Sequence, residues 1–343
     1  QSLLRTALGP CGCRSCGSEW TAAACISVFV VMETPMKCDS LQDRVPLRNG
    51  VRMPVLGLGT SHSGGYCHST VVYALRDCGY RLVDTAKRYG CEQYLGQAIA
   101  ESGVPREELF VATKLWPRDY AGAGGAGPRC ALRASMERLA VDYLDLYLMH
   151  WPECPSECSD RQRTLDETWR QLELLHDEGL CRAVGVSNYE IDDLERLLDV
   201  CSLAPHVNQV EFHPHYAPEE LVRFCRSQDI LFQGYSPLAK GRLLADPVVC
   251  RVAWRNRRSA AQVLVRWSLQ RGVLAIPKST HPERVRENAQ VFDFELSPED
   301  MAALQALDCG RRYIERAGVQ EKIDSRLPDG YKLAGRLSLR NYS

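Results

Sequence analysis

The sequence predicts an α/β fold, a (β/α)8 TIM barrel with an N-terminal β-hairpin, on three observations. From Val55 onward, eight short apolar runs alternate with segments of helical periodicity, and this alternation favours a closed parallel barrel over a doubly wound sheet. None of the runs opens into a G-x-G-x-x-G turn, because the Gly57 and Gly59 pair lacks the third glycine and the acidic partner of that motif. Three successive runs end on the polar residues Asp84, Lys114 and His150, with Tyr89 following Asp84. Strand C-termini are where barrel proteins place their chemistry.

Each element has a local reason. Asn49-Gly50 between two short extended segments predicts a two-residue hairpin turn, and the hairpin is placed to plug the barrel floor. Residues 55–60 form the first barrel strand, whose glycines admit close approach of a backbone or ligand. Ser69 is placed as the cap of a helix with Val71, Val72 and Leu75 on its apolar face, ending near Gly79. The strand 81–84 comes next, then strand 110–115, helix 129–139 with Leu132, Met136 and Leu139 at helical spacing, strand 143–150 and helix 164–175. The pattern repeats with strand 183–188, a helix around 194–198, strand 207–212, helix 219–226, strand 230–235 and an irregular connection. Ser259 caps a helix through Leu269, residues 273–276 form a buried strand, and 284–289 is helical.

Residues 43–310 are therefore read as the barrel. Residues 1–42 are read as a disordered or extraneous extension and 311–343 as a C-terminal tail or loop, which either closes over the rim or hangs free. The apolar run 21–31 is too short to span a bilayer, and the first methionine, Met32, is taken as a natural start. With 42 basic and 43 acidic residues in 343, the chain has no global field for nucleic acid or an anionic membrane. The sixteen cysteines are scattered through apolar patterns, as reduced thiols of a cytoplasmic protein are. Cys11, Cys13 and Cys16 lack a matching ligand pair for zinc, so no metal is expected, and Cys154 and Cys158 are given no role. The run 119–128, with four glycines in six residues, is read as a tolerated insertion above the rim rather than a mobile lid.

Taken in order, Asp84-Thr-Ala with Tyr89, Lys114, His150-Trp-Pro, Gly185-Val-Ser-Asn188, Asn208-Gln-Val-Glu-Phe-His-Pro214, Tyr235-Ser-Pro-Leu238 and Ile276-Pro-Lys-Ser279 resemble the aldo-keto reductases. The resemblance covers roughly residues 44–310. The short loop after Trp151-Pro152 is similar to that of the compact glyoxal-reductase-like members. The resemblance implies NADPH-dependent reduction of aldehydes and ketones to alcohols by hydride transfer, with Tyr89 as general acid, Lys114 and Asp84 as its support, and His150 orienting the substrate.

The residue chemistry agrees with those roles. A phenol with a pKa of about 10 is a poor acid at neutral pH unless tuned, and a buried ammonium at Lys114, held by Asp84, is expected to lower it. Around the helix that follows the last strand, Lys278, Ser279, Thr280 and Arg284 gather where a phosphate is favoured.

By resemblance, Lys278, Ser279 and Arg284 meet the 2′-phosphate, and Glu287 and Asn288 the adenine. Ser187, Asn188 and Gln209 hold the nicotinamide amide, Tyr235 stacks on its ring, and Gly59, Thr60, Asp84, Ser236, Leu238 and Thr280 complete the cofactor set. The substrate pocket is assigned to Ser61, Trp116, His150 and Trp151. Ser61 and His62 stand where many members carry a tryptophan, which points to small aldehydes and dicarbonyls. A small carbonyl compound is the expected partner, without nucleic acid or membrane, for a monomer in the cytoplasm. The rival expectation is a catalytically weak NADPH-binding protein of regulatory (channel-subunit-like) or structural (crystallin-like) type.

Overall fold

The computed structural model describes residues 38–61 and 65–325. The extension 1–37, with its three close cysteines and apolar run, lies outside the described residues, as do His62 and the end of the tail. Strands β1 (Arg44–Pro46) and β2 (Arg52–Pro54) pair antiparallel, with Val45 opposite Met53. The turn differs from expectation. Leu47 and Val51 still bond, and Gly50 N donates to Leu47 O at 2.8 Å with Gly50 at φ 83°, so the loop has three residues and glycine takes the left-handed position. Asn49 Nδ2 donates to Arg182 O at 2.9 Å, and Met53 is fully buried, which docks the hairpin against the N-terminal ends of the barrel strands.

The barrel strands are β3 (Gly57–Gly59), β4 (Leu82–Asp84), β5 (Phe110–Leu115), β6 (Leu146–Met149), β7 (Val184–Ser187), β8 (Val207–Glu211), β9 (Leu231–Tyr235) and β10 (Leu274–Ile276). Each pairs parallel with the next, and a bridge between Leu56 and Ala275 brings the last strand back to the first. The eight-stranded parallel barrel and its hairpin are as expected. The strand expected from 143 shortens to Leu146–Met149. Ahead of it, buried Asp145 turns its carboxylate to accept from Val111 N at 2.9 Å and pair with Arg106 and Arg182.

The helices are α1 (His68–Arg76), α2 (Glu92–Ser102), α3 (Pro128–Leu139), α4 (Arg161–Asp177), α5 (Ile191–Val200), α6 (Glu219–Ser227), α7 (Pro247–Asn256), α8 (Ala260–Gln270), α9 (Pro282–Ala289), α10 (Pro298–Gln305) and α11 (Arg316–Asp324). The cap of α1 is Cys67, not Ser69, which already sits inside the first turn. Ser259 does cap α8, in a reciprocal box with Gln262. Helix α2 carries Gly96 where a Cβ would meet Leu139 O at 2.7 Å, so glycine lets α2 and α3 approach. The barrel's neighbourhood also starts earlier than residue 43: Cys38 is buried and its carbonyl accepts from Arg266 Nη1 at 3.0 Å. The tail contains α11.

Candidate active site

Strand register fixes the centre of the site. Asp84 ends β4 opposite Ala112, and Lys114 lies farther along β5, next to β6. Lys114 Nζ donates to Asp84 Oδ1 at 2.6 Å and to Thr85 O at 3.0 Å, and both side chains are buried. Gln209 Nε2, from β8, donates to Asp84 Oδ2 at 2.8 Å and to Gln233 Oε1 at 2.8 Å. Three strands thus hold one carboxylate. Burial opposes the charge on Lys114 most strongly of any one influence, but Asp84 and Tyr89 together outweigh it and the ammonium's pKa is raised.

Tyr89 reaches this centre from a 3₁₀ turn, Lys87–Tyr89, that stops at Gly90 with φ 70°. The Lys114 ammonium lies 5.2 Å from the Tyr89 ring centroid and hydrogen-bonds its side chain. The expected lowering of the phenol's pKa is reversed. Burial pushes it above its ordinary value, Lys114 pulls down, and Asp84 pushes up again. The depth at which the phenol is buried could not be weighed from sequence. His150 follows β6, is buried, and packs edge-on to Tyr89 at 5.8 Å and to Trp116 at 5.3 Å between centroids.

These groups open into a cavity of about 710 Å³, lined also by Gly59, Ser61, Trp116, Trp151, Ser187, Asn188, Gln209, Tyr235, Ser236 and Lys278. One wall is a chain of hydrogen bonds. Asn188 Nδ2 donates to His150 O at 2.9 Å and Ser187 Oγ at 3.0 Å, while its Oδ1 accepts from Tyr235 Oη at 2.8 Å. Ser187 Oγ in turn donates to Gln209 O at 2.8 Å. Asn188 takes φ 65°, which asparagine tolerates better than most residues.

The remaining expected cofactor residues do not line this cavity. Thr60 spends both its N–H and hydroxyl on Asp84 O, at 3.0 and 2.9 Å. Leu238 lies beyond β9. Ser279, Thr280, Arg284, Glu287 and Asn288 cluster around α9, at the cavity edge marked by Lys278. They suit a dinucleotide phosphate and base. Lys278 and Arg284 supply cations, and buried Asn288 Oδ1 has no partner among the described residues. Burial lowers Lys278 to about 8. Gly59 keeps the approach narrow, since a Cβ there would meet Ile276 O at 3.0 Å.

Of the two alternatives the sequence left open for the tail, its described part takes the first and closes over the rim as a roof. Tyr313, Ile314 and Val319 line the cavity, and Val319 and Ile323 of α11 pack with Trp116 and Trp151. Glu211, buried at the end of β8, accepts from Tyr313 N at 3.0 Å and Ile314 N at 3.1 Å. Lys240 Nζ donates to Tyr313 O at 3.0 Å, and Arg316 pairs with Asp193 at 2.5 Å. The only sequence signal was the i, i+4 pair Val319 and Ile323. The glycine-rich loop does not line the cavity; its neighbour Tyr120 donates to Trp151 O at 2.7 Å and props that wall.

A sequence model of the aldo/keto reductase family matches residues 55–308. An uncharacterized oxidoreductase of Caenorhabditis elegans is 47% identical over 292 residues, covering 85% of this chain and 89% of that protein. The glyoxal reductase of Bacillus subtilis is 45% identical over 275 residues, covering 80% and 95%. Among solved structures, an aldo-keto reductase of Bombyx mori in complex with NADP superposes with a TM-score of 0.74 at 32% identity, covering 86% of this chain and 99% of that one.

Proposed function

The chain belongs to the aldo/keto reductase family, and from that premise we propose that it reduces small aldehydes and dicarbonyls to alcohols with NADPH, using Tyr89 as general acid. The observation that carries this reading is the fully enclosed Lys114–Asp84 pair at 2.6 Å beside the Tyr89 phenol. NADPH, when bound, supplies the hydride. Lys278, Ser279 and Arg284 would hold its 2′-phosphate, Asn288 and Glu287 its adenine, and Ser187, Asn188 and Gln209 the nicotinamide end.

The protein's part is proton delivery and orientation. Burial keeps Tyr89 protonated, so the acid is in place before substrate arrives. As Tyr89 gives its proton to the carbonyl oxygen, the adjacent Lys114 ammonium stabilises the phenolate left behind. Asp84 and Thr85 O keep that ammonium charged and aimed. His150 hydrogen-bonds the substrate oxygen and fixes its approach, and Trp116 and Trp151 shut out water. Both hydrogens of the Gln209 amide are committed to Asp84 and Gln233, so Gln209 meets the nicotinamide end only as an acceptor.

The reading is tested by following NADPH absorbance with methylglyoxal and with 4-nitrobenzaldehyde. Tyr89→Phe should lower kcat/KM by about 10²–10⁴-fold for both while NADPH affinity stays unchanged. Equal rates in wild type and variant would sink Tyr89 as the acid. Substituting Lys278 and Arg284 together by alanine should erase any preference for NADPH over NADH.

A further inference from the structure

The loop after β6 carries two thiols that the reaction does not use. Cys154 and Cys158 flank Pro155-Ser156-Glu157, and the turn closes through Cys158 N donating to Pro155 O at 2.9 Å. Cys154 is buried, Cys158 is half-buried, and Cys158 is a near enough neighbour to push the Cys154 thiol up. The same five residues hold the roof. Cys154 O accepts from Gln320 Nε2 at 3.0 Å, and Ser156 N and Oγ donate to the two Asp324 carboxylate oxygens at 2.9 and 2.7 Å. On its other side Glu157 accepts from both Arg118 guanidinium nitrogens, at 2.7 and 2.8 Å. The turn is therefore a clip between the barrel rim and α11.

We propose that Cys154 and Cys158 form a reversible dithiol–disulfide pair, oxidised by a low-molecular-weight disulfide such as oxidised glutathione, and that bridging them frees α11 from the cavity. Cys158, the more accessible thiol, loses its proton and attacks one glutathione sulfur, forming a mixed disulfide and expelling a glutathione thiolate that takes up the proton. Cys154 then loses its proton, attacks the Cys158 sulfur, closes the intramolecular bridge and expels the second glutathione. Two protein thiols are oxidised and one glutathione disulfide is reduced to two thiols, so electrons and protons balance. Burial, helped by neighbouring Cys158, raises Cys154 to about 12, which suits the resolving thiol rather than the attacking one.

The coupling follows from where the latch is made. The contacts to Gln320 and Asp324 come from the backbone and side chain of residues inside the turn, in its dithiol form. In the proposal, closing the bridge rearranges the turn and carries Ser156 away from Asp324. The remaining hold on α11 is then the Arg316 pairing and the apolar contact of Val319 and Ile323.

The test treats the full chain with glutathione buffers of graded oxidised-to-reduced ratio, followed by alkylation and tryptic mapping. The tryptic peptide 139–161 contains both cysteines and no others. It is expected to escape alkylation, to lose about 2 Da, and to recover on adding dithiothreitol. Alkylation of both thiols, or separate glutathionylation of each, at the most oxidising ratio overturns the site. Tryptic cleavage of the native protein at Lys322 should accelerate about threefold or more on oxidation in wild type but not in Cys158→Ser. Asp324→Ala should cleave fast in both redox states. A bridged wild type whose Lys322 is cut no faster overturns the coupling to α11. None of these readouts depends on turnover.

Discussion

The two walls of the cavity are built in opposite ways. At the barrel rim, Asp84, Lys114 and Gln209 are buried and bonded to one another, and each comes from a strand paired on both sides. Across the cavity, α11 buries Val319 and Ile323 among its described side chains, and its polar holds to Asp193, Ser156 and Cys154 lie at part-exposed edges. Lifting α11 is a local opening, whereas moving Lys114 requires breaking the barrel. Under the proposed function, proton delivery, common to every carbonyl, would fall to the rim and selection among carbonyls to the roof.

The comparison breaks most visibly at Lys114. Lys114→Met leaves the Asp84 carboxylate buried without its cation and should cost about 3–5 kcal/mol of stability, read by urea denaturation, together with nearly all turnover. Adding Asp84→Asn should return much of the stability and none of the activity; recovery of turnover would show that the pair is structural only.

A smaller effect is expected at the cofactor edge. Before cofactor binds, Lys278 loses its proton as pH rises through about 8, and only the charged form attracts a phosphate. NADPH affinity should therefore weaken by about fivefold between pH 8 and pH 9, while NADH affinity stays flat; parallel titrations of the two cofactors check this. A profile equally flat for both would remove Lys278 from the phosphate.

The mildest change is expected in the roof. Glu211→Gln weakens the acceptance from Tyr313 N and Ile314 N. It should raise KM by about three- to tenfold through the loss of roughly 1 kcal/mol of charge-assisted bonding, speed amide exchange in 313–325, and leave kcat nearly unchanged. A fall in kcat without faster exchange would place Glu211 with the rim instead.

The contrast also explains what was legible in the sequence. Asp84, Lys114 and His150 end apolar runs, a signal contained within a few residues, so strand order and the gathering of these groups followed from local pattern. Ser187, Asn188 and Tyr235 came instead from the family resemblance, not from local pattern. Whether the tail closed over the rim stayed undecided because its contacts span the chain: Tyr313 meets Glu211 from 102 residues away and Arg316 meets Asp193 from 123. Helix α2 was hidden by Gly96, whose reason is the approach of α3, and α7 by the irregular stretch before it. The shift of Tyr89 was misjudged for a related cause, since adjacency of Lys114 is visible in sequence and the depth of burial is not.

The central claim, common chemistry at the rim and selection at the roof, is tested most directly by measuring kcat/KM for methylglyoxal and 4-nitrobenzaldehyde in wild type, Tyr89→Phe and Val319→Ala. The expected result is that Tyr89→Phe lowers both values by a similar factor, of about 10²–10⁴, and that Val319→Ala changes their ratio with little loss of the better one. A Tyr89→Phe enzyme that keeps wild-type rates, or a Val319→Ala enzyme that loses both substrates alike, would contradict it.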